Sequence, residues 1–78
     1  MKTKIIDKIL TAIQDAGDAR GVDVGAIPLY QEACQVLTDY DFGEVITQER
    51  KQKLADDLRW MCYVYNVNYW KIIVENSL

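Results

Sequence analysis

Apolar side chains recur along this chain with a period of about 3.6 residues, which predicts a helical protein. The first such segment runs from Thr3 to about Ala16, and polar residues occupy its other side. Its isoleucines are spaced four residues apart and share one face of a helix: Ile5, Ile9 and Ile13. We expect Gly17 or Gly21 to end this helix, because glycine readily adopts the left-handed conformation that follows a helix C-terminus.

Residues typical of helix ends predict two further helices. Pro28 suits the first turn of a second helix, where no backbone N–H is needed, and Gly43 is expected to end it. Thr47 is expected to cap a third helix, with Glu49 placed favourably near the positive end of the helix dipole. The segment 18–27 is predicted to be a loop, with a short extended stretch as the alternative. The apolar positions that repeat are, in helix two, Tyr30, Ala33, Cys34, Leu37 and Tyr40, and, in helix three, Leu54, Leu58, Met61, Cys62 and Tyr65.

The C-terminal stretch 60–74 allows two predictions. Residues 66–68 are expected to break the third helix, and Asn68 then caps a short last helix from Tyr69 to about Glu75. Alternatively, the stretch forms a β-hairpin, because it is rich in aromatic and β-branched residues on both sides of a three-residue loop. An isolated hairpin is marginal in water. We therefore predict a single all-α domain over residues 1–78, a compact bundle of three to four helices, and keep an α+β fold with a C-terminal hairpin as the alternative.

Composition narrows the possible functions. Half of the 78 residues are hydrophobic, the formal net charge is −3, and the chain has no His and two Cys. Without His, both a Cys–His nucleophile and a typical zinc site lack essential residues. We therefore expect no enzymatic activity, no catalytic residue, no cofactor and no metal site. The chain shows no export signal and no apolar run of the roughly 20 residues that cross a bilayer, so we expect a cytoplasmic protein.

Aromatic residues are concentrated near the C-terminus, with five of them between positions 60 and 70. If residues 60–65 are helical, they are apolar on all sides, so this helix is either surrounded by core or docks against something else. Tryptophan and tyrosine are also enriched at the centres of protein interfaces. We predict a partner-binding site made of these aromatic side chains with acidic residues that supply charge complementarity: Trp60, Tyr63, Tyr69 and Trp70, with Asp39, Asp41 and Glu44.

These features predict a non-enzymatic protein-binding module, a small regulatory, adaptor or inhibitor protein whose partner is another protein. One alternative is a homodimeric structural module, in which a second copy of the chain buries the aromatic residues. Another is a weak binder of single-stranded nucleic acid that uses aromatic stacking and a basic cluster, Arg50, Lys51 and Lys53. The sequence pI of about 4.7 disfavours nucleic acid, because such domains are usually basic. No motif in the chain points to a known family.

Overall fold

Four α-helices make up the computed structural model, which describes residues 3–77. No strand occurs among the described residues, so the all-α prediction is confirmed and the C-terminal hairpin is wrong. A short 3₁₀ helix, Val24–Ala26, lies in the predicted loop between the first two α-helices and replaces the extended stretch considered there. The α-helices are α1 (Thr3–Ala19), α2 (Pro28–Asp41), α3 (Gln48–Val64) and α4 (Tyr69–Ser77).

The helix ends follow from the capping residues in the sequence. Pro28 occupies the first turn of α2. The Thr47 hydroxyl accepts a hydrogen bond from the Arg50 backbone N–H at 3.2 Å, and this caps α3. The Asn68 side-chain oxygen likewise accepts from the Lys71 N–H at 3.0 Å, at the start of α4. Left-handed residues follow α2 and α3, namely Gly43 with φ of 84° and Asn66 with φ of 55°.

Of the two glycines expected to end α1, the structure confirms Gly21 and not Gly17. The helix continues to Ala19, and the left-handed residue is Gly21, with φ of 72°. Gly17 is buried, and a Cβ atom at this position would collide with the side chain of Val24. It would also lie 3.4 Å from the carbonyl oxygen of Val22. Gly17 is therefore needed for the close approach of the chain that returns over α1, and not for helix termination.

The core lies between α1, α2 and α3, each of which contributes one apolar face. The segments between these helices add the buried Val24 and Ile46. Helix α4 packs on α1, and its side chains between positions 69 and 76 are exposed or half-buried. The molecule measures 35 × 32 × 18 Å, so it is thin in one direction. The buried helical side chains, with Tyr65 at the end of α3, are Ile9, Leu10, Ile13, Ala33, Val36, Leu37, Leu54, Leu58, Met61, Cys62 and Tyr65.

Among the described residues, two ion pairs link α2 to α3. The Arg50 guanidinium lies 2.7 Å from the Asp39 carboxylate. The Lys53 ammonium lies 2.7 Å from the carboxylate of Glu32. Within α3, it also lies 3.1 Å from the carboxylate of Asp57, a buried residue. Pairs at this degree of exposure contribute about 0–1 kcal/mol each. Their main consequence is that Arg50 and Lys53 are already engaged within the chain.

Candidate protein-binding surface

Two aromatic rings and a valine are exposed side by side on the last turns of α3. Since Met61, Cys62 and Tyr65 turn toward the core, the opposite side of the helix faces solvent. Trp60 is 57% exposed and Tyr63 is 81% exposed, and their ring centroids lie 6.1 Å apart at an interplanar angle of 30°. We call the group formed by Trp60, Tyr63 and the exposed Val64 the aromatic face.

The aromatic residues of α4 divide between surface and core. Trp70 is 71% exposed, and the exposed Val74 follows it four residues later on the same side of the helix. Tyr69 is half-buried and packs against the core. Its ring meets that of Trp70 edge-on, with centroids 5.5 Å apart. Of the four predicted aromatic site residues, Tyr69 therefore packs partly against the core. The other three, Trp60, Tyr63 and Trp70, are mainly exposed.

The C-terminal end of α3 is held in place by α1. Arg20, just beyond α1, donates a hydrogen bond of 3.0 Å to the carbonyl oxygen of Val64. Its guanidinium carbon lies 5.9 Å from the centroid of the Tyr65 ring, within the range of a cation–π contact. The left-handed Asn66 then turns the chain away from the helix. The aromatic face is thus carried by a helix whose end is fixed.

The predicted acidic residues lie at the other end of α3. Asp39 accepts hydrogen bonds of 2.7 Å from both Arg50 and Gln35, and these bonds, that from Arg50 foremost, lower the pKa of Asp39 below its ordinary value. Asp41 and Glu44 are exposed and have no ion pair among the described residues. Trp60 lies about 20 Å further along the axis of α3 than its N-terminus, at 1.5 Å per residue. The structure therefore places the acidic residues at one end of α3 and Trp60 and Tyr63 at the other.

A second exposed apolar group lies in the loop between α2 and α3. Phe42 is 84% exposed and Val45 is 91% exposed, and they alternate with the acidic residues of the same loop. We call residues 41–45 the acidic loop. Phe42 and Val45 are not among the site residues predicted from the sequence. Their position in the sequence could have indicated their exposure. Phe42 and Val45 lie close to Gly43, beyond the last apolar repeat of α2, where no helix face is present to bury them.

An apolar groove of about 410 Å³ lies between α1, α3 and α4. Aliphatic side chains of α1 and α3 form most of its surface, and Tyr69 contributes from α4. Lys51 is the charged residue in its lining. We call this the isoleucine groove, after the α1 residues that line it, Ile5, Ile6 and Ile9.

The basic cluster offers little free charge. Arg50 and Lys53 pair with carboxylates, and within the described part of the chain Lys51 has no ion pair. A strand of nucleic acid would have to displace these carboxylates before its phosphates could pair with Arg50 and Lys53. This arrangement gives no support to the nucleic-acid alternative.

The two cysteine thiols are partly or fully shielded from solvent. Burial raises the pKa of Cys62, and burial is also the largest cause of the raised pKa of the half-buried Cys34. Among residues 3–77, no three His, Cys, Asp or Glu side chains are placed to hold a metal ion. Within the same residues, no helix has the length and apolar character needed to cross a membrane. No family model, curated protein or solved structure matches the chain.

Proposed function

We propose that this chain is a non-enzymatic protein-binding module, with the role of a small regulatory, adaptor or inhibitor protein. The aromatic face of α3 would dock against an apolar surface of another protein. The observation that carries this proposal is the exposure of Trp60 and Tyr63 next to each other on a fixed helix end. Adjacent exposed aromatic residues are typical of the centres of interfaces.

The exposed area suits the centre of an interface. Trp and Tyr side chains each bury about 150–250 Å² when fully covered, so the exposed parts of these two rings amount to roughly 300 Å². A standard interface covers about 800 Å² per partner. The remaining contacts would come from polar residues around the aromatic face, where Asp56 and Arg59 are both exposed. An apolar centre with a polar rim is the usual organisation of such interfaces.

The fixed end of α3 favours binding, because side chains that are already ordered lose less entropy when a partner docks. Arg20 bonds to the last turn of α3, and Asn66 ends the helix; neither residue belongs to the aromatic face. The two rings also contact each other, which restricts the orientations of both. A partner therefore meets a surface that needs little rearrangement.

The test compares two variants in a binding experiment. Trp60→Gln/Tyr63→Gln removes both rings of the aromatic face, and Phe42→Gln removes a ring of similar exposure at the other end of α3. Proteins captured by cross-linking from extracts of the source cells are purified and titrated against each variant. We expect the double variant to weaken binding by about 2 kcal/mol or more, roughly thirtyfold in Kd. The Phe42→Gln variant should bind like the wild type.

Two results would contradict this proposal. A purified partner that binds the double variant as tightly as the wild type would exclude the aromatic face as the docking site. A wild type that forms a dimer lost in the double variant would favour the homodimeric alternative, with a second copy on the aromatic face. Circular dichroism of both variants verifies that their helices are intact.

A further inference from the structure

We propose that the chain also associates with a second copy of itself through a different surface. In this contact, Phe42 and Val45 of the acidic loop of one copy enter the isoleucine groove of the other, with Asp41 and Glu44 beside Lys51. The contact does not use the aromatic face, so it stands independently of the function proposed above.

The acidic loop has a fixed conformation that keeps its apolar side chains exposed. The backbone N–H groups of Phe42, Gly43 and Glu44 donate to carbonyl oxygens in the last turn of α2, each at 3.0 Å. Gly43 takes a left-handed conformation, which a residue with a side chain rarely adopts. At the other end of the loop, the buried Ile46 anchors the chain in the core. These contacts therefore keep Phe42 exposed. Because the backbone of the loop is already ordered, little conformational entropy is lost when the loop docks.

The isoleucine groove has the size and chemistry to receive this loop. Its volume of about 410 Å³ lies within the range of about 300–1,000 Å³ that is typical of ligand pockets, so an aromatic ring can be accommodated. The walls are aliphatic side chains such as Ile9, Leu54 and Leu58. Transfer of the Phe42 and Val45 side chains from water into such surroundings is favourable because apolar surface leaves water on both partners.

The charges of the two surfaces are complementary. The carboxylates of Asp41 and Glu44 flank Phe42 in the sequence and lack an ion pair among the described residues. Lys51 lines the groove and is the one cation of its cluster that no described carboxylate engages. Because the whole chain carries a net charge of −3, two copies repel each other unless regions of opposite charge meet. This contact brings such regions together.

The loop is bound to its own molecule in a position outside the groove lining. Its three hydrogen bonds to α2 and the anchor at Ile46 hold Phe42 outside. A second copy presents the same loop with Phe42 and Val45 already exposed. Each copy therefore has one donor loop and one acceptor groove, so the contact joins copies head to tail or exchanges two loops reciprocally.

The test measures the mass of the full chain in solution from micromolar to millimolar concentration by sedimentation velocity. The variants are Phe42→Ser, which disables the loop, and Lys51→Glu, which reverses the charge in the groove; both positions are exposed, and circular dichroism checks their folding. We expect the wild-type mass to rise with concentration and both variants to stay monomeric. A mixture of the two variants should form a 1:1 complex, because one retains an intact groove and the other an intact loop. Added salt should weaken the association.

The control is Trp60→Gln/Tyr63→Gln, which should associate like the wild type. A wild type that is monomeric throughout the range overturns the proposal, and so does association that persists in Phe42→Ser. Association that is lost only in the control variant also overturns it and assigns the contact to the aromatic face. Failure of this proposal is thus distinct from failure of the proposed function, which depends on the aromatic face alone.

Discussion

Arg20 donates a hydrogen bond of 3.0 Å to the backbone carbonyl of Val64, which lies 44 residues later in the chain. The last carbonyl groups of a helix have no partner within it, so Arg20 satisfies one of these groups at the end of α3. The same guanidinium lies near the Tyr65 ring. One side chain thus joins the end of α1 to the segment that carries the aromatic face.

Replacement of Arg20 should loosen the end of α3. We expect Arg20→Ala to lower the free energy of unfolding by about 1–2 kcal/mol, the sum of one hydrogen bond and one exposed cation–π contact. Urea denaturation measures this change. The matched control is Arg59→Ala, because Arg59 is exposed and has no hydrogen bond or ion pair to the described residues; its effect should stay within about 0.5 kcal/mol. Equal effects of the two substitutions would contradict the role of Arg20.

Gly17→Ala should destabilise the protein although Gly17 lies inside a helix. Alanine is the better helix former by about 1 kcal/mol, but its Cβ collides with Val24, and overpacking of this kind costs about 1–3 kcal/mol. The control is Gly25→Ala, where the nearest atom lies at an ordinary 3.5 Å. In a double-mutant cycle, Gly17→Ala combined with Val24→Ala should cost less than the sum of the single changes. If the free-energy changes of the two single substitutions simply add in the double variant, the Cβ at position 17 does not destabilise the protein through Val24.

The Asp39–Arg50 pair should contribute to the pH dependence of stability. Hydrogen bonds from Arg50, and then from Gln35, lower the pKa of Asp39 from its ordinary value of 3.8. The unfolded chain therefore holds this proton more tightly than the folded protein. The resulting stabilisation is present above about pH 4 and is lost as the pH falls through the lowered pKa.

Asp39→Asn tests this dependence by removing the titrating group. Between neutral pH and about pH 2, the wild type should lose more stability in urea denaturation than Asp39→Asn does. Asp41→Asn is the control, because Asp41 has no ion pair among residues 3–77, and it should follow the wild type. Parallel losses in the wild type and in Asp39→Asn would refute the contribution of the pair.

The two cysteines should react slowly in the folded protein and at different rates. Burial raises the pKa of both thiols, and the reactive species in alkylation is the thiolate. Cys34 is half-buried and Cys62 is buried, so Cys34 should be alkylated first and Cys62 only as the protein unfolds. Mass spectrometry of iodoacetamide-treated Cys34→Ser and Cys62→Ser follows each thiol separately. Labelling of Cys62 at the rate of the unfolded chain would disprove its burial.

The starts of α2, α3 and α4 could be predicted because they depend on residues close in sequence. The Thr47 hydroxyl caps α3, and the side-chain oxygen of Asn68 caps α4. Pro28 suits the first turn of a helix whatever the helix packs against. The apolar repeat of helix three also includes Tyr65 and leaves Trp60 out, and the structure buries the first and exposes the second.

The remaining features depend on contacts between distant segments. Gly17 resembles a helix stop in the sequence, and its real constraint is the side chain of Val24 packed above it. The division of the predicted site follows from the direction of α3, which separates Glu44 from Trp60. Asp39, one of the residues predicted for the partner-binding site, forms an ion pair with Arg50 on another helix. Local patterns carry no information about such pairings.

The thickness of the molecule, 18 Å in its shortest direction, has a consequence for how its sequence can vary. Since a single helix with its side chains is about 10–12 Å across, about two layers of helices fit in this direction, and every helix among residues 3–77 has an outer side of exposed residues. Substitutions that preserve the inner faces should therefore leave the fold intact while the outer faces change. In a saturation mutagenesis library, intolerant positions would alternate with permissive ones at helical spacing, which makes this chain a scaffold on which new surfaces can be selected.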